Sequence, residues 1–107
     1  MGEKGAKLTE QSTAGAEDLV EQLRPLGDVS NRKMFGGHGI FRDGVMFALV
    51  NSDGEAFLRV DDNFRSELEA TGSASHGKMP YMSVPTDDEA LLALAARSLE
   101  IARAAKR

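Results

Sequence analysis

The chain has 107 residues, with 13 Lys and Arg against 17 Asp and Glu, a net charge of −4 and no cysteine. This length makes one domain that buries roughly 65% of its unfolded surface in a two-layer core. Without cysteine there are no disulfides, thiolate zinc sites or cysteine nucleophiles, and the acidic balance has the wrong sign for broad phosphate neutralisation on DNA.

Residues 1–12 are small, polar and without period, so a disordered tail is expected ahead of a domain spanning 13–107. The polar start lacks the hydrophobic segment of a signal peptide and no apolar run approaches the roughly 20 residues of a bilayer span. A cytoplasmic protein with no membrane segment is therefore expected. Ser12 or Thr13 should cap a first helix with Leu19, Val20, Leu23 and Leu26 on one face, ended by Pro25 and Gly27.

From Val29 to Val60 the pattern changes to short β-prone runs. The stretch IFR-DG-VMF reads as a two-residue hairpin, because Asp43-Gly44 tolerates the positive φ angles of a type I′ turn. NSDG at 51–54 should make a second, longer turn. Asp61 or Asp62 should cap the next helix, which runs through Leu68 and ends by Gly72. MPYMSV reads as a short strand between Pro80 and Pro85, at an edge or with an irregular start. Thr86 or Asp87 should then cap a long last helix whose stripe is Leu91, Leu92, Ala95, Leu99 and Ala102. The expected class is α+β: a two-layer antiparallel β-meander with about three helices, in the order α-β-β-β-β-α-β-α.

The densest glycine cluster is Gly36-Gly37-His38-Gly39. A phosphate-binding glycine loop needs a helix directly after it, whereas a strand is expected here, and neither common nucleotide-binding spacing fits. Gly36, Gly37, Gly39, Asp43 and Gly44 are therefore read as structural turn residues that also permit a close backbone approach. His38 and His76 are the only histidines, each in a glycine-flanked loop and without carboxylates at metal-ligand spacing. No catalytic, metal-binding or cofactor-binding residue is assigned, and the expectation is of a protein without enzymatic activity.

Hairpin parity sorts the sheet into two faces. With a two-residue loop at 43–44 and a four-residue loop at 51–54, Ile40 pairs with Phe47 and Leu49 with Ala56. Ile40, Val45, Phe47, Leu49, Ala56, Leu58 and Val60 then share the core face. The opposite face holds Phe41, Met46, Ala48, Val50 and Phe57 with Glu55 and Arg59. It is either covered within the monomer by a helix or the N-terminal tail, or it is a surface for self-association or a partner.

The run RKMFGGHGIFRDGVMFALV, followed by FLRVDD, FRSELEATGS, PYMSVP and EALLALAARSLEIAR, resembles the N-terminal domain of the TfoX/Sxy family of bacterial regulators associated with DNA-uptake competence. The resemblance covers about residues 14–104. Its most specific part is M-F-G-G-x-G at 34–39 with D-G-x-M-F at 43–47. It implies a helix, an antiparallel meander, a helix, one or two further strands and a last helix, in two layers like secretion-chaperone folds. Full-length members carry a second, helical domain and act with a cyclic-AMP-responsive transcription activator at competence promoters. The family supplies no catalytic residues, and its M-F-G-G glycines fall on Gly36 and Gly37 as turn formers.

These readings lead to a protein-interaction domain in transcriptional regulation, with a transcription activator or polymerase as partner and a homodimer as a further option. The partner surface would be Phe41, Met46, Val50 and Phe57, rimmed by Arg32, Lys33 and Arg42. An alternative places Arg97, Arg103, Lys106 and Arg107 with the glycine-turn bases on one nucleic-acid contact patch, although direct DNA binding by the domain on its own is not expected. A third reading, a small-ligand pocket near His38 and Tyr81, rests on no motif and requires a pocket with convergent polar groups.

Overall fold

The structure is a computed structural model that describes residues 10–34, 36–75, 79–84 and 89–106. In chain order the elements are α1 (Glu10–Gln22), β1 (Val29–Met34), β2 (Gly37–Arg42), β3 (Val45–Val50), β4 (Ala56–Arg59), α2 (Asp62–Ala70), β5 (Tyr81–Val84) and α3 (Leu91–Lys106). The strands form one antiparallel sheet in sequence order, which is the expected α+β meander with three helices. β5 lies at its edge, one of the two placements expected from the flanking prolines.

Local chemistry explains most of the boundaries. The Asp61 carboxylate accepts the Phe64 amide hydrogen at 2.8 Å and starts α2, a cap worth about 1 kcal/mol. After α1, Pro25 enters a short 3-10 turn over Arg24–Leu26, and Gly27 at φ 116° releases the chain into β1. α1 itself begins at Glu10, earlier than the expected cap, so residues 10–12 belong to the helix and not to a tail. The helical period explains the difference: Ser12, Ala16, Leu19 and Leu23 fall on one face and all are buried. The expected caps of the last helix, Thr86 and Asp87, lie outside the described residues, as does His76.

Both hairpin turns in the glycine-rich stretch are two residues long. Asp43 at φ 55° and Gly44 at φ 78° give the positive pair of a type I′ turn. Met34 pairs with Gly37, leaving Gly36 at φ 79° in the first turn. Gly37 and Gly39 are therefore strand residues of β2 and not turn formers, a correction to the expectation. Gly37 serves a close approach instead: a β-carbon there would run into the Val50 carbonyl oxygen of β3.

The register departs from simple parity twice. Phe41 pairs with Met46 as expected, but Ile40 pairs with Ala48, so Phe47 sits in a β-bulge. The next loop has five residues, 51–55, because Val50 pairs with Ala56. The Asn51 side-chain oxygen accepts from the amides of Asp53 at 3.0 Å and Glu55 at 2.9 Å, a local turn that absorbs the extra residue. The two shifts cancel beyond the loop, so Ala56, Phe57, Leu58 and Arg59 lie on their expected faces. Between them, Ala48 and Val50 join the core and Leu49 turns to the other side.

The main core joins all three helices to one sheet face. Leu19 of α1 and Leu23 just after it, Phe64 and Leu68 of α2, and Leu91, Ala95, Leu99 and Ala102 of α3 pack on Ile40, Phe47, Val50 and Leu58. Ser98, buried in the α3 stripe, donates its hydroxyl to the Arg59 carbonyl at 2.8 Å and ties α3 to β4. On the opposite face a smaller cluster forms from Leu49, Phe57 and Tyr81, with Met46 packed against it and no helical residue in it.

Candidate functional site

The second sheet face is built strand by strand from the pairing rule that directly opposed residues share a face. Arg32 pairs with Gly39, Phe41 with Met46, Leu49 with Phe57, and Arg59 with Tyr81. Phe41 and Met46 are half-buried, while Leu49, Phe57 and Tyr81 are buried. Gly39 forms a low point between them: a β-carbon there would meet Met34 Sδ at 2.9 Å, Phe41 Cε1 at 2.9 Å and Met46 Sδ at 3.0 Å. Those side chains fold over the bare backbone. A thioether lining of this kind is soft and adapts its rotamers to what it touches.

Two guanidinium groups lie on the same face. Arg32 Cζ is 4.9 Å from the centroid of the Phe41 ring, and Arg59 Cζ is 5.8 Å from that of Tyr81, both within cation–π range. Burial pushes the Tyr81 phenol up from its ordinary value, against the pull of the Arg59 hydrogen bond and charge. The Tyr81 hydroxyl also reaches the Met46 carbonyl at 3.5 Å. A groove of about 880 Å³ is lined by Phe41, Met46 and Tyr81 of this face and also, on the helix side, by His38 and by Ala102 and Ala105 of α3.

Of the seven expected partner-surface residues, Phe41, Met46, Phe57 and Arg32 are brought together on this face. Val50 is not: the bulge turns it into the core, where it is 1% exposed. Lys33 pairs with His38 and Arg42 with Val29, which places both on the helix side of the sheet. There Arg42 donates to Asp43 at 2.7 Å. Leu49, Tyr81 and Arg59 complete the face. Parity already set Arg59 on this face; Tyr81 could be placed there only by pairing β4 with β5 across more than twenty intervening residues, and Leu49 only by seeing the bulge.

The expected nucleic-acid patch is brought together only in part: Arg103 and Arg42 meet at Asp43 Oδ2, at 3.5 and 2.7 Å, but Arg97 lies apart. Arg97 makes two 2.7 Å hydrogen bonds to the carboxylate of Glu67 and lies over Phe64 at 4.4 Å, so it ties α3 to α2. Arg103 instead pairs with Glu100 at 2.9 Å and reaches Asp43 at 3.5 Å. Six residues apart on a helix, the two arginines point about 120° away from each other. Arg107 lies outside the described residues.

His38 is not a loop residue but part of β2. It is 3% exposed, and its Nδ1 lies 3.0 Å from Ser12 Oγ of α1. Among the described residues no group of three His, Asp or Glu side chains could hold a metal ion, and no helix is long and apolar enough to cross a membrane.

A family model for the TfoX N-terminal domain matches residues 21–102, a span that contains the whole sheet. The chain belongs to the TfoX N-terminal domain family. No curated protein matches it. Within this TfoX N-terminal domain, the glycine-rich stretch supplies the two hairpins that set Phe41, Met46 and Gly39 side by side.

Proposed function

We propose that this TfoX N-terminal domain is a non-catalytic protein-interaction module of transcriptional regulation that docks a protein partner on the second sheet face. The observation that carries the reading is the composition of that face. Met34, Phe41 and Met46 are partly exposed around Gly39, beside Arg32 and Arg59, and the three helices pack on the other side. Aromatic, methionine and arginine side chains are the types enriched where proteins dock. The partner we propose is a transcription activator or RNA polymerase, as the sequence resemblance implies.

The test uses purified RNA polymerase and the cyclic-AMP-responsive activator from the same organism, each titrated against the wild-type domain and against Phe41→Glu. Phe41 is the better position for the variant because Phe57, at 6% exposed, would damage the fold when charged. Saturable binding to either partner that Phe41→Glu weakens by about tenfold or more, with unchanged thermal stability, supports the reading. Binding to neither, or equal binding by both forms, overturns it.

A further inference from the structure

The groove that the second face shares with the end of α3, at Ala102 and Ala105, has a charge pattern that selects a ligand more narrowly than partner docking requires. The chain carries 17 acidic residues and a net charge of −4, yet among the described residues no Asp or Glu lines this groove, and the one Arg or Lys that does is Arg59. The lining is otherwise mostly apolar, with three thioethers, from Met34, Met46 and Met79. Its volume of about 880 Å³ falls within the range of sites that take small molecules.

Arg59 lacks the partner its chemistry calls for. Several guanidinium groups pair with carboxylates, Arg97 with Glu67, Arg42 with Asp43 and Arg103 with Glu100, whereas Arg32 lies over the Phe41 ring and Arg65 reaches Met82 Sδ at 3.6 Å. Among the described residues Arg59 meets no carboxylate. Its neighbours are the Tyr81 ring and hydroxyl, and its buried Nε, like that of Arg42 on the other side of the sheet, has no hydrogen-bond acceptor among the described residues. Buried donors are nearly always satisfied, so such a group at a groove calls for an acceptor from outside the chain.

We propose that this groove binds a small amphipathic anion, a carboxylate carried on an apolar body. The Arg59 guanidinium and the Tyr81 hydroxyl take the carboxylate, and Met46, Leu49, Phe41 and Met34 take the apolar part. A neutral apolar ligand would leave Arg59 without its acceptor, and an amphipathic cation would be repelled by it. The geometry thus selects the sign of the head group as well as the apolar tail. The inference goes beyond partner docking and is tested on the domain with no partner present.

The experiment is calorimetric titration of the purified domain with dodecanoate and with dodecylamine, each kept below its micellar concentration. Amide chemical-shift mapping then locates the bound dodecanoate. Dodecanoate is expected to bind below roughly 1 mM and at least about tenfold more tightly than dodecylamine. Its shifts should fall on residues 39–49, 59 and 81. Arg59→Met should lose that preference, and Arg59→Lys should retain part of it. The dodecanoate-to-dodecylamine comparison on wild type keeps the test decisive if Arg59→Met does not fold. No binding below that concentration overturns the proposal, whether the groove is left open or closed by a second copy of the chain. Equal affinity for the two amphiphiles, unchanged dodecanoate binding by a folded Arg59→Met, or shifts confined to the helical side would do the same.

Discussion

Ser12 Oγ of α1 and His38 Nδ1 of β2 lie 3.0 Å apart, both side chains buried, and this polar contact fixes the first helix to the sheet. Burial first, then the charge of Lys33, lowers the His38 pKa from its ordinary 6.5, against a smaller opposing pull from Glu17. The unfolded chain therefore takes up this proton at a higher pH than the folded one. Stability from the neutral imidazole is complete above pH 6.5 and is lost as pH falls through the unfolded and then the folded value. Chemical denaturation between pH 7 and pH 5 should show that decline, and His38→Gln should flatten it. Ser12→Ala, which removes the hydroxyl facing Nδ1, should cost about 1–3 kcal/mol.

Gly15 lies on α1, where alanine would ordinarily be preferred by roughly 1 kcal/mol. A β-carbon at Gly15, however, would sit 2.8 Å from the Gly54 carbonyl oxygen, and Gly54 is itself held at φ 83°. The two Gly54 atoms it would meet are backbone and cannot swing away, and Val50 Cγ1 would lie at 3.3 Å. Gly15→Ala is expected to destabilise by about 1–3 kcal/mol, the opposite sign from helix propensity. Thermal denaturation reads the difference, and an unchanged or raised midpoint would show that α1 does not pack on the β3–β4 loop.

The bulge makes a separate prediction about adjacent faces. Phe47 is fully buried beneath the helices, whereas Phe41 is half-buried on the second face. Phe47→Ala should cost about 3–5 kcal/mol in denaturant titration and Phe41→Ala well under half of that. Equal costs would mean that the two faces are not distinguished as described.

The same bulge explains what the sequence could and could not reveal. Asp43-Gly44 and Asp61 were legible because turn and cap chemistry is local, and the order of elements followed from period and punctuation. VMFALV, by contrast, is apolar at every position, so no polar residue marks where the alternation slips at Phe47. The fifth loop residue at 51–55 was hidden for a similar reason, since Asn51 closes either loop length. The Ser12 to His38 contact and the place of Arg59 beside Tyr81 depend on packing between distant segments, which residue spacing does not encode.

Arg97 and Glu67 offer a test of how α3 is held. The Arg97 hydrogen bonds keep the Glu67 carboxyl below its usual range. Since the pair is solvent-exposed, its effect on stability should be small and should fade with salt. In an NMR titration of the Glu67 carboxyl, Arg97→Met should raise the midpoint toward the ordinary value. An unmoved midpoint would rule out the bidentate contact, and duplex DNA affinity at low salt should not depend on Arg97.

Amide chemical-shift mapping of the labelled domain with purified RNA polymerase or the cyclic-AMP-responsive activator tests the central claim most directly. If the second sheet face is the docking surface, the largest changes fall on residues 32–34, 39–41, 46, 49, 59 and 81 and disappear in Phe41→Glu. Changes concentrated on the exposed sides of α2 and α3, with that face unaffected, would contradict it.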